Sequence, residues 1–167
     1  MLVRKRLIVV MLTSSLSIMA ADAPGTGHLN LTGAQSMSRD FKIDGCSIDK
    51  PGKGLLAGYT MNSTEDPMLS GLVLQIASYT QDGVFRSEPA DSKQKPRPIR
   101  FSAVARLQGS DPFGSPIQQG DETTLNATIR DHGKSGTLEI HNATWLLNKP
   151  EKVSGTMTWT CPSVKIY

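Results

Sequence analysis

Three residues near the end of the chain, His132, Glu139 and His141, have side chains that could bind a metal ion. Glu139 and His141 would share one face of a strand, and a hairpin turn could return His132 nearby. Two histidines and a carboxylate are a ligand set of catalytic zinc, so these residues are the candidate site of a metal-dependent hydrolase. Solvated polar positions also explain all three residues, because Ile140 is expected to face the core and His132 falls in the turn. We therefore expect no metal or other cofactor.

Other catalytic patterns are missing from the sequence. There is no Gly-x-Ser-x-Gly motif, and the glycine-rich segment Gly109 to Pro116 lacks the spacing of a phosphate-binding loop. With three histidines and no base placed beside a nucleophile, the sequence predicts a protein that is not an enzyme.

The stretch Lys152 to Cys161 (KVSGTMTWTC) alternates strongly and predicts a half-buried strand. Its outward positions include Thr156, Thr158 and Thr160. Such a hydroxyl ladder could bind a repeating ligand, for example a glycan or an ordered water layer, although threonine is also common on the wet face of any strand.

The two tryptophans differ in their surroundings. Trp159 shares a face with Met157 and is expected in the core. Trp145 lies beside a loop and is the candidate exposed anchor of a binding surface.

Four of the five asparagines stand in Asn-x-Ser/Thr, namely Asn30, Asn62, Asn126 and Asn142. In a eukaryotic secretory route these would be glycan acceptors. Chance in Ser/Thr-rich strands is the alternative, since the N-terminal signal looks equally bacterial.

The N-terminus has the pattern of a secretory signal peptide over residues 1–20, with cleavage near residues 20–23. A basic head, Arg4 to Arg6, precedes a mostly apolar run, Leu7 to Ala20, and small residues follow. The run is too short and too rich in hydroxyls for a membrane span, although an uncleaved anchor is the alternative. We expect the mature chain to have no transmembrane span and to be secreted, periplasmic or in the cell envelope.

The positive charge of the sequence belongs largely to this signal. The chain has 18 Lys and Arg against 15 Asp and Glu, a formal net charge of +3. Three of the 18 basic residues lie in the head, so 15 would remain against 15 acidic residues and the net charge would be zero. We therefore expect no nucleic acid among the partners.

Two cysteines, Cys46 and Cys161, are present in this exported chain, which predicts one disulfide between them. Two reduced thiols are the alternative. Cys46 lies far from the signal and follows Ile43-Asp44-Gly45, which is the wrong context for a lipid-bearing cysteine.

The remaining sequence predicts an all-β fold. Alternating segments are joined by turns rich in Gly, Pro and Asp, and no long segment has helical periodicity. We expect one domain over residues 24–167, an antiparallel sandwich or flattened barrel of about eight strands closed by the disulfide. Two long loops, Arg86 to Pro98 and Gln108 to Glu122, would lie outside the strands.

Two cysteine-containing strands, Phe41 to Cys46 (FKIDGC) and Val153 to Cys161 (VSGTMTWTC), resemble those of the mycobacterial 19-kDa lipoprotein antigen family. The resemblance covers about a tenth of the chain. It implies a non-catalytic, β-rich protein of the cell surface, but the cysteine that bears the lipid in that family has no counterpart after the signal here.

Three functions follow as hypotheses. The first is an exported, non-catalytic binding module for a protein or a glycan. The second is a carrier of a small apolar ligand or lipid, with a cavity between sheets lined by Leu55 to Met61 and Lys152 to Cys161. The third is the metal-dependent hydrolase.

Overall fold

The fold is all-β, as the sequence predicts. The computed structural model describes residues 24–33, 36–50, 58–63, 69–89, 98–105, 115–146 and 149–167. The signal peptide prediction for residues 1–20 lies outside the described residues. The strands are β1 (Gly25–Gly33), β2 (Met37–Ile43), β3 (Gly45–Asp49), β4 (Gly58–Ser63), β5 (Leu69–Ala77), β6 (Gly83–Ser87), β7 (Ile99–Ala105), β8 (Ser115–Gln118), β9 (Thr124–Arg130), β10 (Ser135–Leu146), β11 (Pro150–Thr160) and β12 (Val164–Ile166).

All twelve strands of the described residues belong to one curled sheet. Its main path runs β12-β3-β4-β5-β7-β8-β10-β11-β1-β2, and β9 and β6 form a branch that pairs with β10. Every pairing is antiparallel except that of β12 with β3. The described residues contain no helix long and apolar enough to cross a membrane.

The branch arises because β10 changes its partner halfway along. Ser135 to His141 pair with β9, whereas Thr144 and Trp145 pair with β8. Between these halves the register with β11 shifts, and Asn142 has a positive φ of 57°. An extra residue of this kind bends a strand and increases its twist, which lets one strand serve two directions of the sheet.

The expected count of about eight strands was wrong. Four short strands were missed because each lies where turn residues dominate the local sequence: β3 runs toward the Pro51-Gly52 pair, β6 begins at Gly83 of the Asp82-Gly83 pair, β8 lies inside the second long loop, and β12 lies beyond Cys161. Their pairing is decided by neighbouring strands more than by their own residues. The sequence left a sandwich and a flattened barrel as alternatives; the described strands form one curled sheet with a continuous hydrogen-bonded path.

The buried residues follow the period of two that the sequence shows. In β11, Val153, Met157 and Trp159 are buried and Thr158 is exposed between them. The fully buried side chains come from strands in both halves of the sheet and include Leu29, Leu31, Met61, Leu74, Ile76, Ile99, Leu125, Ile140 and Trp145. The core therefore fills the concave side of the sheet.

A disulfide joins Cys46 of β3 to Cys161, the residue after β11, as predicted, with 6.0 Å between their Cα atoms. The Tyr59 hydroxyl lies 3.5 Å from the sulfur of Cys46 and 3.4 Å from that of Cys161. Trp159 Nε1 donates a hydrogen bond of 2.8 Å to the same hydroxyl. Burial raises the pKa of Tyr59 well above its ordinary value, so the phenol stays neutral.

We predict that Tyr59→Phe lowers the free energy of unfolding by about 1–3 kcal/mol, because the buried Trp159 N–H loses its acceptor. Urea unfolding followed by tryptophan fluorescence measures this change. Tyr79→Phe is the matched control: its hydroxyl donates to the partly exposed Asp82, where water can replace it, so the loss should be smaller. Equal losses in the two variants would contradict this account.

Candidate functional site

One side of the curled sheet presents a continuous polar surface. The exposed and half-exposed positions of β2, β1, β11, β10 and β9 form this surface, which we call the outer face. Strand register places one residue of each strand in line across it, in the order Asp40, His28, Thr158, Thr137 and Thr128. The next line holds Ser38, Asn30, Thr156, Glu139 and Asn126. The predicted hydroxyl ladder of β11 is thus one column of a wider array.

The outer face has a hollow of about 600 Å³ that is open to solvent over β2, β1 and β11. Its polar lining residues are Thr26, His28, Asp40, Lys42, Thr158 and Thr160. Gly27, Phe41 and Trp159 also line it. The hollow therefore combines hydroxyl groups with both signs of charge, which is a mixture suited to a polar ligand. The rings of Phe41 and Trp159 are buried on the other side of the sheet.

Glycines let two aromatic rings close the sheet beneath this region. The Phe41 ring occupies the space where a Cβ on Gly27 would stand, and the Trp159 ring does the same at Gly136. The register sets each ring directly across from its glycine. Covering glycines with aromatic rings from the adjacent strand is a known device for pinning sheet register.

His28 is held by two residues of the neighbouring strand. Its Nδ1 lies 2.7 Å from Oδ1 of Asp40, and its Nε2 lies 3.3 Å from Oγ of Ser38. The side chains are exposed, 46% for His28 and 91% for Asp40. Both ring nitrogens thus have a partner, and the orientation of the imidazole is fixed although it faces solvent.

The residues predicted as a binding surface are only partly brought together. Thr158 and Thr160 line the hollow, and Thr156 is exposed in the adjacent line. Trp145 is fully buried, so its expected exposure was wrong. The reason is that β10 continues through Trp145, which pairs with Ile117 of β8, a short strand inside the second predicted loop.

The three candidate metal ligands are not assembled. His132 lies in the turn before β10, and His141 lies at the bulge in its middle, roughly 20 Å further along the strand. Glu139 accepts a hydrogen bond of 3.2 Å from Asn126 on the outer face. Among the described residues, no group of three His, Cys, Asp or Glu could hold a metal ion.

The turn that carries His132 is instead fixed by Asp82. The carboxylate of Asp82 accepts hydrogen bonds from the backbone N–H groups of His132 at 2.7 Å and Gly133 at 3.1 Å, and from the Tyr79 hydroxyl at 2.7 Å. Asp131, His132 and Gly133 all have positive φ. Desolvation alone would raise the pKa of Asp82, but these hydrogen bonds outweigh it and lower the pKa below its ordinary value.

The four sequon asparagines occupy different environments. Asn30 and Asn142 are exposed, whereas Asn62 and Asn126 are half-buried. Asn142 occupies the bulge of β10, where its backbone N–H donates to Ser154 Oγ at 3.0 Å. Of the two predicted loops, residues 90–97 of the first and 108–114 of the second lie outside the described residues.

Sequence reasoning missed the contacts of His28 with Ser38 and Asp40. The signal was available in part: Ser38 and Asp40 are two apart and share a strand face, and His28 alternates with Gly27 and Leu29. What could not be read was the β1–β2 register that sets His28 opposite Asp40, because residues 34–35 carry no distinctive turn motif.

Comparison with protein-family models, curated proteins and solved structures found no match to this chain. The resemblance of the two cysteine strands to the 19-kDa lipoprotein antigen family therefore stays a prediction.

We predict that Asp82→Asn destabilises the protein by about 1–2 kcal/mol at neutral pH, since charge-assisted hydrogen bonds to the turn are weakened at a partly exposed site. The folded pKa of Asp82 is lowered, so its contribution is present above the pKa of the unfolded state and is lost as the pH falls through the folded value. Thermal unfolding of both proteins from pH 7 to pH 2 should show the difference shrinking with acid. A difference that is constant across this range would contradict the assignment.

Proposed function

We propose that the protein is an exported binding module whose outer face contacts an extended, hydroxyl-rich ligand of the glycan class. The observation that carries the proposal is the hollow over β2, β1 and β11, with Thr26, Thr158 and Thr160 in its lining. Export to the envelope or extracellular space is supported by the N-terminal signal pattern and is compatible with the disulfide.

The geometry favours a ligand that runs across the strands. Neighbouring strands lie about 4.8 Å apart, so five strands present a line of side chains roughly 19 Å long. Threonine hydroxyls both donate and accept hydrogen bonds, as sugar hydroxyls do. Their β-branched side chains are also stiff, so little conformational freedom is lost when a ligand binds.

Charges at the end of the hollow would add orientation. Asp40 and Lys42 both line it and come from the same strand. A carboxylate accepts from ligand hydroxyls, and an ammonium group donates to them. The ligand would therefore be held by several groups with different roles rather than by the threonines alone.

An interior carrier site is less supported. Met61 and Met157, from the two strands expected to line a cavity, are fully buried among other core side chains. Tyr59, on the first of these strands, contacts the rings of Trp159 and Tyr79, with centroid distances of 6.4 Å and 5.6 Å. Tyr59 and Trp159, one from each of these strands, therefore pack against each other.

The test is binding of the chain from Ala21 onward to a printed oligosaccharide array, followed by titration calorimetry with the strongest ligand. We predict that Thr26→Val with Thr158→Val weakens binding about tenfold or more, because two hydrogen bonds are lost while shape and strand preference are kept. Thr80→Val is the matched control, because Thr80 is an exposed threonine after β5 that lies outside the outer face, and this variant should bind as the parent does. The proposal fails if no oligosaccharide binds, or if the double variant binds with the parent's affinity.

A further inference from the structure

The hydrogen bonds of His28 link a serine hydroxyl, an imidazole and a carboxylate in the order found in nucleophilic catalysis. Asp40 meets Nδ1 and Ser38 meets Nε2, so the imidazole lies between a carboxylate and a hydroxyl. When Nδ1–H donates to Asp40, the lone pair of Nε2 faces the hydroxyl and can accept its proton. This is the connectivity by which a serine becomes a nucleophile.

We propose that Ser38, His28 and Asp40 form a hydrolytic site for O-acyl esters. The inference concerns a reaction and not the ligand of the hollow, so it holds whether or not a glycan binds there. Both His28 and Asp40 also line the hollow, which places the reacting hydroxyl at its margin and leaves space for the alcohol part of an ester.

The reaction would proceed in two balanced steps. Ser38 Oγ attacks the ester carbonyl as its proton passes to His28 Nε2, and His28 then protonates the departing alkoxide, giving an acyl-serine and an alcohol. Water attacks the acyl-serine with His28 as base, and the proton returns to Ser38 as the carboxylic acid leaves. Asp40 is not protonated during the reaction; its carboxylate orients His28 and stabilises the charged imidazolium.

The exposure of the site decides which class of acyl compound it can hydrolyse. The three residues face solvent, so charge on the tetrahedral intermediate is stabilised less than in a closed, dry site. Asn30 lies directly opposite Ser38 in the strand register and is placed to donate to the oxyanion from its amide. An alkoxide leaves more readily than an amide nitrogen, so esters are the class expected to react.

The experiment uses two small probes on the chain from Ala21 onward. A biotin-linked fluorophosphonate tests whether Ser38 is nucleophilic, with the labelled peptide identified by mass spectrometry. Hydrolysis of p-nitrophenyl acetate tests turnover. We expect labelling at Ser38, its loss in Ser38→Ala, and a fall of about 100-fold in His28→Ala, the lower end for a general base at an exposed site. With p-nitrophenyl acetate, which offers no hydroxyl group for Asp40 to bind, Asp40→Asn should lower kcat and leave KM unchanged, because its carboxylate positions His28.

Ser102→Ala is the matched control, since Ser102 is an exposed serine on β7. It should label and turn over as the parent does, and all variants should keep the parent's melting temperature because the altered side chains are at the surface. The proposal is overturned if Ser38 is not labelled, if Ser102 is labelled as fast as Ser38, or if ester hydrolysis survives in Ser38→Ala, which would mean that His28 reacts as a free imidazole.

Discussion

The contact on which the rest of the structure depends is the disulfide between Cys46 and Cys161, capped by the Tyr59 hydroxyl. It joins β3 and the end of β11, which are six places apart in the order of the sheet. A sheet of twelve strands could curl to different degrees, but this covalent bond and the Trp159–Tyr59 hydrogen bond fix one of them. The loop it closes has a sequence separation of 115 residues and contains β4 to β11, so most of the described strands are constrained.

The outer face follows from that curl. Trp159 points inward to Tyr59, so its neighbours Thr158 and Thr160 must point outward. The bulge at Asn142 then sends the two halves of β10 to different partners, which leaves β9, β10, β11, β1 and β2 as one polar layer. Both the hollow and the contacts of His28 lie on this layer, so the buried cluster and the candidate site are two faces of the same strands.

Much of this could be predicted from the sequence, and the limits have physical reasons. The period of two in β11, the all-β class and the disulfide could be predicted, because alternating burial and a single pair of cysteines leave local signals in the sequence. The burial of Trp145 was not, because it depends on pairing with β8, a strand of four residues within a glycine- and proline-rich segment. The short strands β3 and β12 likewise form because adjacent strands pair with them, and their own sequences carry little signal.

The candidate site shows the same division. Thr156, Thr158 and Thr160 were found because they alternate within one strand. The contacts of His28 were missed because they join residues 10 and 12 positions apart, and only the register of two strands sets them side by side. The metal hypothesis failed for the opposite reason. Its residues are near in sequence, but the extended strand β10 separates His132 from His141 in space.

The most direct test of the central role of the disulfide is equilibrium urea unfolding of the Cys46→Ala/Cys161→Ala variant beside the oxidised parent. The loop-entropy estimate for a closed loop of 115 residues predicts a loss of about 3–5 kcal/mol in the free energy of unfolding. A loss below about 1 kcal/mol would contradict the account, since non-covalent packing alone would then suffice to fix the curl of the sheet.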